Sequence, residues 1–458
     1  MSNVLNVTIT PHREFMPADT ASQKLFLMLK LRPTKEIAIT RPPTCFAFAI
    51  DTSGSMYEIV SGETTPTGVK FKEEVTGGKR KIDIVMESLL TLVRSGKLGT
   101  SDSVGIIQFD DSASQIIGLT QATQVSQLEN AIAQLSDFSG GTRMGLGLRH
   151  ALDLLSNQNM TVRRTLLFTD GHTFDEDICR EITSDFADKN IPITALGVGE
   201  DFKEDLLTHL SDSTAGSSYY VVPGNAIGTQ VSILDLPQTI IGEYTQAQKE
   251  VITNLALTVK TVKGVELNRI LRAYPTQAEF PLNQDPCPIG NAAGDDETIF
   301  ILEFNIEQRP ASRVRIAQLG LTYDIPEQNR RGELPPQNLV VQFITGGGGT
   351  AQVDQEVMDY LQQCNISNIV NHATKIADHN PEKAEELLET ARRMTVKIGN
   401  KEMEESLNGA QQELRKTRKI SAGTRKTVKM GAKGKTVKMG SDINDQLSEE
   451  EMRNLTGT

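Results

Sequence analysis

Apolar and polar positions alternate along residues 5–10, LNVTIT, and again along 24–32, KLFLMLKLR. A period of two predicts two half-buried strands. After the Pro-rich joint Arg41-Pro42-Pro43 the pattern changes. Residues 44–50, TCFAFAI, form an unbroken apolar run, as a strand buried on both faces requires. Strand-like and helix-like segments then alternate. Residues 80–97 have helical spacing, with Ile82, Ile84, Val85, Leu89, Leu90 and Leu92 apolar. Strands are predicted at 103–109 and 114–119, and helices at 123–136 and 142–157. The buried strand TLLFT follows at 165–169, then a helix near 177–188, a strand at 191–197, a short helix at 203–211 and a strand at 218–222. This alternation predicts an α/β fold, a doubly wound and mostly parallel sheet covered on both faces, over residues 44–245. Residues 57–79 interrupt it with a polar, Gly-rich stretch, read as a long loop that is either a lid or mobile.

From residue 246 the pattern is all-β as far as 347. The N-terminal strands have no partners of their own in the α/β unit. One β-sandwich, built from residues 1–43 and 246–347 with the α/β unit inserted between, accounts for both. Gly346 to Gly349 read as a linker. Residues 350–414 form a small helical module, broken at Asn380-Pro381 and at Gly399-Asn400. Its NPEKAEELLETARRM segment starts with an Asn cap before a Pro at the first helical position. Residues 415–458 are low in complexity and read as a disordered basic and acidic tail. Within it, Lys426-Thr427-Val428-Lys429-Met430-Gly431 recurs as residues 435–440. A short amphipathic binding helix is suggested at 447–455.

Composition narrows the classes. The 458 residues suit two or three domains. No apolar stretch approaches the roughly 18 residues of a membrane span. The first residues lack a basic start followed by an apolar core, so no secretory signal is expected and the protein is expected to be cytoplasmic. Cys45, Cys179, Cys287 and Cys364 show no C-x-x-C spacing, which argues for buried reduced thiols and against zinc. The net charge is −12, yet residues 415–440 hold ten Lys and Arg and no Asp or Glu, which leaves −22 on the rest. The body therefore repels nucleic acid and anionic membrane. In the tail no aromatic residue interleaves the cations, so base stacking has no support.

Candidate chemistry sits at strand ends. Asp51-Thr52-Ser53-Gly54-Ser55 stands where the first buried strand meets its loop, the position at which open α/β sheets bind ligands. Ser139-Gly140-Gly141-Thr142 precedes a helix, and Thr169-Asp170-Gly171 follows TLLFT. All three project from one sheet edge. Asp51, Ser53, Ser55, Thr142 and Asp170 supply two carboxylates and three hydroxyls, hard oxygen donors that suit Mg²⁺, Mn²⁺ or Ca²⁺. Asp110 and Asp111 follow the second strand, as neighbours of the site or as plain loop acids. His172 reads as a surface residue.

In this order and alternation, the three pieces resemble the metal-ion-dependent adhesion site of von Willebrand factor A domains, in a bacterial-type cytoplasmic member. The resemblance covers roughly residues 44–245 and fills all five positions. It implies that Ser53, Ser55 and Thr142 bind the ion through hydroxyls, and Asp51 and Asp170 directly or through water. Neutral hydroxyls leave the ion partly uncompensated, and a partner's Asp or Glu can complete its shell. The expectation is a protein-binding scaffold or adaptor, not an enzyme. Two alternatives stand beside it. A metal-dependent hydrolase lacks H-E-x-x-H, a P-loop and a G-x-S-x-G elbow. A structural or surface adhesion protein would need secretion.

In the tail, cations precede Thr427 and Thr436, and Met430 and Met439 follow at +3. The first feature suits a basophilic Ser/Thr kinase. The second resembles ligands of forkhead-associated domains, which read phosphothreonine. The competing readings are a solvated linker and nonspecific attraction to nucleic acid.

Overall fold

The computed structural model describes residues 4–64, 71–74, 77–346, 353–434 and 436–439. It divides into two compact units. One holds residues 41–250 and 422–434, and the other holds 1–40, 251–421 and the end of the chain.

The first unit is the α/β fold. Its strands are β1 (Thr44–Asp51), β2 (Ser103–Phe109), β3 (Ala113–Gln121), β4 (Val162–Thr169), β5 (Ile193–Val198), β6 (Ser218–Val222) and β7 (Val231–Ser232). They form one sheet in the order β7-β6-β5-β4-β1-β2-β3. All neighbours are parallel except the β2–β3 pair. Every residue of β1 and β4 is buried. That is why both read as unbroken apolar runs instead of alternating ones.

Helices α1 (Lys81–Arg94), α2 (Val125–Ala133), α3 (Met144–Ser156), α4 (Glu176–Asp188), α5 (Glu204–Ser213) and α6 (Leu236–Gln248) cover the sheet. Phe46, Phe48 and Ile50 of β1 pack in one core with Ile82, Leu89, Leu128, Ile132, Leu236 and Tyr244. Cys45, Ala47 and Ala49 pack in the other with Leu148, Leu155, Ile182, Phe186, Leu206 and Leu210. The period of two along β1 therefore sends α1, α2 and α6 to one face and α3, α4 and α5 to the other. The chain leaves β1 towards β2 on one side and later returns to β4 on the other. The crevice at the carboxyl ends of β1 and β4 is thus the topological switch point of the sheet.

Residues 57–79 depart from the expected loop: Ser61–Thr64 pairs with Phe71–Glu74 as an antiparallel hairpin. Residues 65–70 and 75–76 lie outside the described residues.

The second unit contains two five-stranded sheets. In the first, Ser22–Pro33 lies between Leu5–Pro11 and Thr298–Glu307, both antiparallel to it. In the second, Ser312–Ile325 lies between Glu250–Thr261 and Arg330–Ile344. Val7, Ile9 and Leu29 of one sheet face Leu257, Leu319 and Leu321 of the other across a small apolar cavity. Three helices follow: α7 (Gln355–Ile376), α8 (Pro381–Ile398) and α9 (Lys401–Thr417). Asn380 caps α8 by accepting from Lys383 N–H at 3.1 Å, and Asn400 caps α9 by accepting from Met403 N–H at 3.1 Å. Gly399 ends α8 in the left-handed region, φ 77°, as a helix C-terminus favours.

The tail is structured further than its composition suggests. Helix α9 runs to Thr417, and α10 (Ala422–Ala432) belongs to the α/β unit. An unstructured tail from residue 415 is therefore placed too early. Val428 and Met430 are buried, and lysines around them pair with acids, which composition alone does not show. Most of the linker read at Gly346–Gly349, and the helix suggested at 447–455, lie outside the described residues. The four cysteines are buried and free. Among the described residues no helix is long and apolar enough to cross a membrane.

Candidate metal centre

The first loop is fixed by the strand that precedes it. Strand β1 ends on Asp51, which is fully buried, and Thr52 N–H donates to Phe109 O at 2.9 Å. Asp51 Oδ1 accepts from Ser53 N–H at 2.9 Å, turning the chain sharply. Residues Gly54–Tyr57 form a short 3-10 turn anchored by the buried Met56.

Three hydrogen bonds bind this loop to the others. Gly54 N–H donates to Gly140 O at 3.0 Å, in the loop before α3. Ser55 Oγ donates to Asp170 Oδ1 at 2.7 Å, and Thr169 Oγ1 donates to Asp51 Oδ2 at 2.7 Å, both from the end of β4. The second and third loops are joined in turn. Thr142 O accepts from Phe174 N–H at 2.9 Å and from Thr173 Oγ1 at 3.2 Å. Ser53 Oγ and Ser55 Oγ are 3.2 Å apart. The structure therefore gathers Asp51, Ser53, Ser55 and Asp170 by side-chain hydrogen bonds and holds Thr142 beside them through its backbone.

The electrostatics are those of a buried acidic site. Asp51, Asp170, Ser53 and Thr142 are all buried. Burial pushes the Asp51 carboxyl up to about 6, against the hydrogen bonds from Ser53 and Thr169 that pull it down. Asp170 is compensated by Lys81, whose Nζ lies 2.6 Å from Oδ2. Lys81 opens α1, and its side chain is only 16% exposed. Lys81 is the cation that the structure places at this carboxylate. Among the described residues no three His, Cys, Asp or Glu side chains gather as a metal-binding group. The set is instead two carboxylates and three hydroxyls, which fits a hard divalent ion.

Around the site, Asp110 is buried and caps its own turn by accepting from Ser112 N–H at 2.8 Å. Gly140 and Gly141 lie close to Asp111: a Cβ on Gly141 would meet Asp111 Oδ1 at 2.5 Å. His172 is exposed. Phe174 is 77% exposed on the third loop. The sequence motifs point to none of Lys81, Thr173 and Phe174. Lys81 lies far from every motif in sequence, and only the helix start at Lys81 brings it in. Phe174 gave a signal, an isolated large apolar residue two positions beyond His172.

A von Willebrand factor type A domain model matches residues 46–231, and a model for the Sll0103-like, C-terminal alpha-helical domain matches 355–438. A second von Willebrand factor type A model matches 280–394, where the structure has antiparallel strands and helices instead of an α/β sheet. The chain is 23% identical over 359 residues to the uncharacterized protein sll0103 of Synechocystis sp., covering 77% of this chain and 83% of that one. Among solved structures it is similar to a von Willebrand factor type A protein from Catenulispora acidiphila, with TM-score 0.74, 14% identity, and 95% and 98% of the two chains covered. It is also similar to the ArnB paralog VWA2 from Sulfolobus acidocaldarius, with TM-score 0.61, 16% identity, and 94% and 98% covered. With its switch-point site and this match, the chain contains a von Willebrand factor type A domain.

Proposed function

We propose that the α/β domain is a protein-binding module whose site takes Mg²⁺, or Mn²⁺ or Ca²⁺, on Asp51, Ser53, Ser55, Thr142 and Asp170. The observation that carries this reading is the stitching of three separate loops at the switch point around a carboxylate, Asp170, that holds a cation. The ion would supply a Lewis-acidic position that accepts a carboxylate from a partner's Asp or Glu. The chain's own residues do the rest. Ser53 and Ser55 add donors without adding charge, so a partner's anion is not repelled. Thr169 and the Ser53 amide hold Asp51 in place. Phe174 offers an apolar contact beside the site, of the aromatic kind that anchors interfaces. The sequence holds no H-E-x-x-H, P-loop or G-x-S-x-G elbow, which favours an adaptor or scaffold over a hydrolase.

The tail belongs to the same reading. Thr427 and Thr436 are the proposed sites of a basophilic Ser/Thr kinase, and a forkhead-associated-type domain is the proposed reader. Both threonines are buried in the structure, so modification requires the tail to leave its place. We place the protein in the cytoplasm.

The test is capture of partners on the full chain in Mg²⁺ and in EDTA, from the cell that makes it. Partners that need Mg²⁺ and are lost from Asp51→Ala and weakened by Phe174→Ala are expected. An identical set in EDTA would overturn the metal-dependent reading.

A further inference from the structure

The repeat is the one sequence motif that the metal site leaves unused. Its first copy forms most of α10, and Lys426, Thr427, Lys429, Met430 and Gly431 each meet residues of the α/β unit. Lys426 Nζ lies 4.6 Å from the Phe202 ring centroid and donates to Glu200 O. Burial there lowers the Lys426 ammonium pKa. Thr427 Oγ1 accepts from Gln230 Nε2 at 2.8 Å and donates to Gly423 O at 2.9 Å. Thr427 O accepts from Thr229 Oγ1 at 3.0 Å. Val428 is fully buried. Lys429 Nζ is 2.6 Å from Asp205 and 3.5 Å from Glu204, and Lys433 pairs with Asp212. Met430 joins the core cluster of Phe202, Leu206, Leu210 and Tyr220. A Cβ on Gly431 would come within 2.2 Å of Thr229 Oγ1, so only glycine allows the approach.

The second copy behaves differently. Residues 436–439 are not helical and lie in the other unit, where Val437 N–H donates to Gln363 Oε1 at 2.9 Å and Met439 N–H to Tyr360 Oη at 3.1 Å. The same four residues, Thr-Val-Lys-Met, are thus helical at 427–430 and non-helical at 436–439. The receiving surface sets the conformation, as expected of a ligand more than of a core element. An isolated helix of 11 residues is marginal in water, so α10 depends on its surface.

We propose that the α5–β6 face of the von Willebrand factor type A domain is a receptor groove for a basic helix, that residues 422–434 are its detachable resident ligand, and that phosphorylation of Thr427 empties it. The groove selects Lys at i, i+3 and i+7 by its acidic rim, Thr at i+1 by Gln230, and Met at i+4 by its apolar floor. Docked, Thr427 is closed to a kinase. Released, it accepts the γ-phosphoryl of ATP on Oγ1: the new O–P bond forms, the bond to the β-phosphate oxygen breaks to leave ADP, and the hydroxyl proton passes to the kinase's base. The phosphate adds about −1.5 to −2 charges. It would have to return to a buried position in a groove rimmed by Glu204, Asp205 and Asp212, so redocking fails and the released state accumulates.

The release step rests on the kinase reading above; the groove does not. Hydrogen exchange on the full-length protein separates them. Wild type is expected to protect the amides of 423–432. Thr427→Glu should speed their exchange about tenfold or more while β1 and β4 stay protected. Lys429→Glu should do the same, and Asp205→Lys in that background should restore part of the protection. Asp205 is 70% exposed, so the exchange of charge leaves the core alone. A labelled peptide of residues 420–434 should bind full-length Thr427→Glu protein and not wild type, and its Thr427-phosphorylated form should bind neither. Wild-type exchange at the unprotected rate, or equal protection in Thr427→Glu, would overturn the groove. A groove that passes these tests, in a protein whose native form carries no phosphate on Thr427, would overturn the release step alone.

Discussion

The α/β sheet carries a cluster of buried charge at each end, and the two are built differently. At the amino-terminal ends of the strands, Arg164 of β4 pairs with Glu250 at 2.5 Å and Glu243 at 3.5 Å. Glu243 also accepts from Thr194 and Tyr219, each at 2.6 Å. A buried guanidinium and two hydroxyl donors meet the carboxylates of that cluster. At the carboxyl-terminal ends, Asp51 and Asp170 meet the hydroxyls of Ser53, Ser55 and Thr169 and the Lys81 ammonium. The first network resembles a structural lock, and the second is the proposed ion site, with Lys81 paired to its carboxylate. Burial of charge alone does not mark a functional site; what marks it is whether the compensating group can leave.

Breaking the closed cluster should have the larger effect. Arg164→Ala leaves Glu243 buried without its cation, and about 3–5 kcal/mol of stability should be lost in denaturant unfolding. A loss below 1 kcal/mol would show the cluster to be wet and loose.

A buried group with no ion partner sharpens the contrast. His12, in the other unit, accepts from Phe26 N–H on Nδ1 at 3.1 Å. Burial, helped by Arg13, lowers its pKa to about 4 from 6.5. The unfolded chain therefore takes up a proton before the folded one does. The stability that neutral His12 supports is complete above pH 6.5 and is lost as pH falls towards 4. Between pH 7 and pH 5 this amounts to about 2 kcal/mol. His12→Gln should flatten the pH dependence of unfolding by that amount, and an unchanged slope would refute the buried neutral imidazole.

The smallest effect tests the Lys81 pairing. In EDTA, Lys81→Met should cost about 1–3 kcal/mol by leaving the Asp170 carboxylate uncompensated. With the competing ammonium gone, Mg²⁺ should bind about tenfold more tightly, and its addition should restore the lost stability. Weaker Mg²⁺ binding would mean that Lys81 supports the ion instead of competing with it.

Much of this domain was legible in the chain. TCFAFAI and TLLFT announced strands buried on both faces, and their ends placed Asp51 and Asp170 together once the sheet was read as parallel. The Asn380-Pro381 and Gly399-Asn400 breaks marked helix ends because capping is local chemistry. Lys81 was not legible, since its partner Asp170 lies 89 residues away and only the packing of α1 joins them. The docking of α10 was hidden for a related reason. Its few apolar residues fall below what composition associates with order, and the acids that complement its lysines lie on α5, more than 200 residues earlier. The hairpin inside residues 57–79 was masked by its glycines and polar side chains.

Calorimetric titration of the full-length protein with Mg²⁺ and Mn²⁺ tests the central claim most directly. Saturable binding of one ion per chain is expected in wild type and should be abolished in Asp51→Ala. Equal binding in the two proteins would contradict the assignment of the site.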